Sequence, residues 1–386
     1  MSRRICVITG SRSDFGHLSS VMRAIDSHDD LTLQTVVTGQ HLDARFGETW
    51  RDIEDEGFII DGKVDLDLGD DTPLAAAKAV GHAVGRLSET LAVLKPDIVM
   101  VLGDRFEILG AAEAALMLNI PLAHIHGGEI TEAAIDDAIR HAITKMARLH
   151  FCAAEPYAKR LRQMGEDPTH IHMVGAPGLD HLDTLKRLSR EELAADLGIK
   201  LSSPLFVITH HPVTLQLDQG AAEISAVVDA LSQFDVATMI FTGVNSDPGH
   251  AVVRDTLNTF AGEDETRRCV VNSLGYKRYL SLLAIADVVI GNSSSGLIEA
   301  PAIGVPTVNI GDRQKGRLRG PLVIDCAADS TFISAAVERA LDPSFKVTAD
   351  VDGSSYARGG AGAKIAGILA EISLDSLKQK TFYDLP

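Results

Sequence analysis

The chain has 386 residues, 45% of them hydrophobic and 23% charged, and a formal net charge of −17. That length suggests two or three domains, each with apolar side chains enough for a core of its own. The negative balance argues against nucleic acid or an anionic membrane as partner, because either polyanion would be repelled; it leaves room for a small anion in a local basic pocket. No stretch of about eighteen apolar residues occurs, and the apolar part of "MSRRICVITG" is too short for a signal peptide.

In chain order, "RICVITG" is an apolar run ending at Gly10, and residues 14–26 read as a helix. "LTLQTVVTG" is a second strand, and 74–94 has helical apolar spacing. "DIVMVLGD", "IPLAHIHGG", "LHFCAA" and "IHMVGAPG" read as strands, separated by helices over 106–118, 134–148 and 155–164. Residues 180–203 carry charge runs and no strand, which marks a domain junction. The rhythm restarts with "PLFVITHHP", "DVATMIFTG", "RCVVN", "ADVVIGNSSSG" and "VPTVNIG" as strands. Helices over 219–233, 249–261, 276–285 and 296–302 lie among them. A Gly-rich stretch over 353–363 has the composition of a mobile loop, and a helix over 363–372 closes the chain. Uninterrupted apolar strands alternating with helices predict parallel sheets covered on both faces, in two doubly wound halves. Cys6, Cys152, Cys269 and Cys326 are scattered with no CxxC pair, so buried thiols in a reducing cytoplasm are expected.

Ligands of open parallel sheets sit beyond the carboxyl ends of the strands, so the polar residues there carry the information. "GNSSSGLIEA" follows a strand and opens a helix. Backbone N–H groups and the hydroxyls of Ser293, Ser294 and Ser295 suit a diphosphate there, and Glu299 suits ribose hydroxyls. The plainer reading is a capped helix after a polar loop. The segment matches neither the Walker A loop nor the GxGxxG fingerprint. In "GSRSDFG", Arg12 is a phosphate ligand or a surface charge, with Asp14 as helix cap. Asp104 in "VLGDRFE" is either a cap or an acid/base group. Asp136 and Asp137 suit a helix start, and Arg140 lies at ion-pair spacing from Asp136 on the helix surface. His211 follows a strand, and Arg313, Lys315, Arg317 and Arg319 form a basic loop in an acidic chain. His124 and His126 are read as pointing to opposite faces of their strand, which argues against one shared metal ion; no metal or cofactor is expected.

Taken together and in order, "GSR", "GDRFE", "HIHGGE", "DDAIRHAITK", "HHPVT", "GNSSSGLIEA" and "GDRQKGR" span nearly the whole chain. The set closely resembles the hydrolysing UDP-N-acetylglucosamine 2-epimerases of sialic acid and related nonulosonic acid synthesis. The resemblance implies the GT-B fold: Rossmann-like domains over 1–180 and 181–362 with a cleft between them, and a C-terminal segment, 363–386, returning to the first. It implies that UDP-N-acetylglucosamine becomes N-acetylmannosamine and UDP through a 2-acetamidoglycal. It places acid/base groups at Asp104, His126 and Asp136 or Asp137, with His211 and Arg313 at the leaving diphosphate. Ser294, Ser295 and Gly296 would cradle the phosphates, Glu299 the ribose and Arg12 the nucleotide side. His41, Arg105, His124, Glu129 and Arg140 are second-rank members. Several members of the family carry Glu where this chain has His126. Imidazole does the same work near neutral pH, or the change marks a different sugar, such as a UDP- or GDP-linked 2,4-diacetamido-2,4,6-trideoxy sugar. A GT-B glycosyltransferase is the rival class. The resemblance further implies a cytoplasmic homodimer or tetramer.

Overall fold

In the computed structural model, which describes residues 2–215, 219–245, 247–348, 356 and 359–385, the apolar runs form strands of two parallel sheets. The first holds β1 (Arg3–Thr9), β2 (Leu31–Thr38), β3 (Gly62–Val64), β4 (Ile98–Leu102), β5 (Leu122–Ile125), β6 (Leu149–Cys152) and β7 (Ile171–Met173). Their order is β3-β2-β1-β4-β5-β6-β7. The second holds β8 (Leu205–Thr209), β9 (Thr238–Thr242), β10 (Arg268–Val271), β11 (Val288–Gly291), β12 (Thr307–Ile310) and β13 (Val323–Cys326), in the order β10-β9-β8-β11-β12-β13.

The two-residue repeat of a strand explains why the central runs are apolar throughout. Ile5 and Val7 of β1 join one buried cluster with Phe15, Leu18 and Met22. Cys6 and Ile8 join another, with Ala83, Leu87, Ala111 and Ala112 on the opposite face. In the second sheet, Phe206 and Ile208 pack with Ile224, Val227 and Phe241. Helix Ala361–Glu371 packs through Ile365 and Leu369 into the first unit's core. The Asp180 carboxylate accepts from the N–H groups of Ala361 and Gly362 at 2.9 and 2.7 Å, satisfying donors that a helix start leaves unpaired.

One compact unit comprises 1–129, 135–183 and 356–386, and the other 130–134 and 184–355. Residues 130–134 thus group with the second unit, whereas the sequence reading ran the first domain unbroken to 180. That reading also gave no element to β13 or to helix Ser330–Leu341, which Asp329 caps. The Gly-rich loop expected over 353–363 lies in part outside the described residues. Cys6 and Cys152 are buried, but Cys269 and Cys326 are only half-buried, because β10 and β13 are the edges of their sheet. No described helix is long and apolar enough to cross a membrane.

Candidate active site

In both sheets the strand order reverses beside the first strand, which sets β1 next to β4 and β8 next to β11. A crevice opens at the carboxyl ends of such a pair. Most of the residues singled out in the sequence lie at these two places or at a neighbouring strand end.

In the first unit, Ser11, not Asp14, caps helix Arg12–Asp26, accepting from the Asp14 N–H at 3.3 Å. Arg12 opens that helix and is half-buried. Asp14 is buried and accepts from the Gly10 N–H at 3.3 Å. Burial raises its carboxyl to about 7; the Arg105 guanidinium opposes the rise and Glu107 adds to it. Arg105 donates from Nε to Glu107 Oε1 at 2.6 Å, and both side chains are buried. His41 bridges Thr9 and Thr49 through both ring nitrogens, at 3.0 and 2.8 Å, and burial lowers it to about 3.

Asp104 follows β4 and does not cap helix Phe106–Met117, whose N-cap residue is Arg105. It pairs with Arg140. Arg140 is fully buried, so the surface pair expected from its spacing to Asp136 is corrected: its partner comes from another strand end. Asp137 lies 3.9 Å from Arg140 and 3.6 Å from His141. Asp136 is half-buried beside it on the first turn of helix Ile135–Met146.

The expected separation of His124 from His126 also needs correction. Residues two apart in a strand face the same way, so alternation cannot part them. What parts them is that β5 stops at Ile125 and His126 takes the left-handed conformation, φ 64°. His124 donates from Nε2 to the Gly103 carbonyl at 2.7 Å, and its Nδ1 accepts from Thr144 at 3.2 Å. Burial lowers His124 to about 3, and it pins the turn that carries Asp104. His126 instead meets Glu129, with Nδ1 2.6 Å from Oε1. Among the described residues, no group of three or more His, Cys, Asp or Glu is arranged to hold a metal ion.

In the second unit, Asn292 joins three strand ends. It accepts from the His211 N–H at 2.7 Å and donates to the His211 carbonyl at 2.8 Å. Its own carbonyl accepts from Arg313 at 3.3 Å and from Gln314 at 2.8 Å. His211 Nδ1 accepts from the Asn245 N–H at 3.4 Å, and Arg313 lies 3.9 Å from Asp247. Gly291 permits this closeness: at φ 135°, a Cβ there would stand 1.9 Å from the Thr209 carbonyl oxygen.

The serine segment forms a single 3-10 turn, Ser294–Gly296, followed by the short helix Glu299–Ile303. The expected helix over 296–302 is therefore shorter, and a helix dipole contributes little to anion binding there. Ser293 caps the turn, accepting from the Ser295 N–H at 3.4 Å; Ser295 accepts from the Tyr279 hydroxyl at 2.7 Å; Glu299 is buried. In the basic loop, Lys315 pairs with Glu132 and Arg319 with Asp325. Sequence reasoning passed over Glu107, Asn292 and Gln314, and gave Asp14 only the role of a helix cap. Glu107 sat inside the quoted "GDRFE", and Asn292 directly follows a strand.

The sequence profile of the UDP-N-acetylglucosamine 2-epimerase family matches residues 23–370. The chain is 36% identical, over 99% of each protein, to the hydrolysing GDP/UDP-N,N'-diacetylbacillosamine 2-epimerase of Campylobacter jejuni. It is 35% identical to the hydrolysing UDP-N,N'-diacetylbacillosamine 2-epimerase of Legionella pneumophila, over 89% of this chain and 90% of that one. The crystal structure of the Neisseria meningitidis UDP-GlcNAc 2-epimerase bound to UDP-GlcNAc superposes with a TM-score of 0.79 at 17% identity, covering 96% of this chain and 100% of that one. That likeness shows the fold, two Rossmann-type parallel sheets with flanking helices as in GT-B-like proteins.

Proposed function

We propose, for a chain that belongs to the UDP-N-acetylglucosamine 2-epimerase family and to its hydrolysing branch, that the substrate is a nucleoside-diphosphate 2,4-diacetamido-2,4,6-trideoxy sugar. The observation that carries this choice is the similarity, at 36% and 35% identity, to two proteins whose names give N,N'-diacetylbacillosamine. UDP-N-acetylglucosamine, the expectation from sequence, is the second arm of the test. Family membership takes the support from a glycosyltransferase reading.

The reaction has two steps. A base takes the C2 proton while the C1–O bond breaks and its electrons leave with the diphosphate, giving a glycal. Water then adds, its hydroxyl at C1 and a proton at C2 from the opposite face, releasing the free 2-epimer. Acid/base groups must serve both faces of C2, and the leaving group needs positive charge or N–H donors. The first unit supplies the former in Asp104, Asp136 or Asp137, and His126. The second supplies the latter in His211, Arg313 and the hydroxyls of Ser293, Ser294 and Ser295, with Gly296 giving the backbone room, Glu299 at the ribose and Arg12 of the first unit on the nucleotide side. His41, Arg105, His124 and Arg140, each engaged in buried protein contacts, serve as supports.

Proton NMR in D₂O tests this reading with the UDP- and GDP-linked diacetamido sugars and with UDP-N-acetylglucosamine. Free 2-epimer carrying deuterium at C2 from the diacetamido substrates is expected. Preferred turnover of UDP-N-acetylglucosamine overturns the substrate choice. Epimerised sugar still bound to nucleotide overturns the hydrolytic step.

A further inference from the structure

We propose that Glu129 is a positioning residue: it holds the His126 ring with the proton on Nδ1, so that Nε2 is the nitrogen that exchanges the proton at C2. The inference rests on the acid/base reading of His126 given above.

The backbone prepares the contact. His126 still donates its N–H to the Phe151 carbonyl at 3.0 Å, so β6 holds the main chain. Its φ of 64° costs a non-glycine residue about 1–2 kcal/mol, strain that persists only where the surroundings impose it. Gly128 follows at φ 80°, where a Cβ would come within 2.5 Å of the Tyr157 carbonyl oxygen. Arg160 donates to the Gly128 carbonyl. The turn is thus pressed onto helix Glu155–Gln163 and brings residue 129 back to residue 126.

The contact then fixes the chemistry. An ionised carboxylate only accepts, so at 2.6 Å the hydrogen lies on His126 Nδ1 and the neutral ring's lone pair is at Nε2. Both side chains are buried, 9% and 1% exposed, which shields the pair from competing water. Among the described residues no protein group hydrogen-bonds Nε2; the nearest ring is His17, edge-on with centroids 6.1 Å apart. When Nε2 takes a proton, the carboxylate is already in place to stabilise the imidazolium without moving. His124 offers no such option, since the Gly103 carbonyl and Thr144 occupy both its nitrogens.

Three measurements on the full chain test the proposal. Glu129→Gln is expected to lower kcat by about 10²–10⁴-fold while KM changes far less. The Glu129→Gln, His126→Ala pair is expected to lose no more than His126→Ala alone, because residues acting as a unit are not additive. Long-range ¹H–¹⁵N correlation on ¹⁵N-histidine protein at alkaline pH is expected to show the His126 proton on Nδ1. This last measurement needs neither a variant nor turnover, so it decides the role of Glu129 even if no nucleotide sugar is turned over and the proposed function fails. A proton on Nε2, losses that multiply in the double variant, or an unchanged kcat in Glu129→Gln overturns the proposal.

Discussion

The two strand-order reversals are alike in topology and opposite in chemistry. At the ends of β1, β4 and β5 the contacts are between charged or titratable groups taken out of water: Asp104 with Arg140, Arg105 with Glu107, and His126 with Glu129. At the ends of β8, β9, β11 and β12 neutral contacts dominate: the Asn292 amide to both backbone groups of His211, Gln314 to the Asn292 carbonyl, and Thr209 to Thr242 at 2.7 Å, with the Arg313 guanidinium added at the same Asn292 carbonyl. Buried charge makes proton affinities adjustable, whereas amide and hydroxyl cross-links make a rigid frame for a ligand. Under the proposed function one topology carries two tasks, and the side chains at the strand ends decide which.

The contrast breaks most sharply at His126. His126→Ala is expected to lower kcat by about 10²–10⁴-fold and to leave nucleoside-diphosphate affinity, read by calorimetry, nearly unchanged. Unchanged turnover would remove His126 from the chemistry and leave the first unit's acids alone with it. Next in size is Arg140→Met. It leaves Asp104 without its cation, and stripping one partner from a buried pair costs about 3 kcal/mol or more. Thermal denaturation reads this, and a loss under about 1 kcal/mol, as for an exposed pair, would make the Arg140–Asp104 contact no different from a surface one.

These residues also show how far the sequence could be read. Strands, helices and the polar strand ends were legible because a parallel sheet needs apolar runs, and those runs stop where the site begins. Partners across strands were not legible. Arg140 stood four residues from Asp136, and helix periodicity offered that pair; only the sheet brings Asp104 to it. His126 leaves its strand one residue earlier than the apolar pattern implies, and no periodicity records a φ of 64°. β13 is a four-residue edge strand with Asp325 exposed, too short and too polar to stand out as an apolar run, whereas helix Ser330–Leu341 carries helical spacing in "FISAAVERAL" that was there to be read.

A smaller effect sharpens the neutral side of the comparison. Asn292→Ala would leave the His211 N–H and carbonyl buried without the partners they have here. Each such group costs about 1–3 kcal/mol, so a loss of at least about 2 kcal/mol is expected in urea unfolding. A neutral frame predicts that this loss hardly varies with pH; a strong pH dependence would mean that charge contributes there too.

The smallest effect comes from Asp14, and it is one of pH. Its folded carboxyl lies at about 7 against an ordinary 3.8, because burial disfavours the charge by more than the Arg105 guanidinium offsets, with Glu107 adding a smaller rise. Between those values the folded protein keeps a proton that the unfolded chain has lost, so raising pH favours unfolding. The contribution is fully present below about 3.8, falls as pH rises, and levels off above about 7. Asp14→Asn keeps an oxygen for the Gly10 N–H and carries no titrating proton, so it is expected to lack this decline. The stability of the wild-type protein relative to the variant should therefore drop by on the order of 1–2 kcal/mol between pH 5 and pH 8, read from paired thermal melts. With Asp14 neutral, Arg105 and Glu107 balance to zero net charge in a buried place. A flat difference would mean that Arg105 holds two carboxylates, and the first unit's strand ends would then carry one more negative charge toward an anionic substrate.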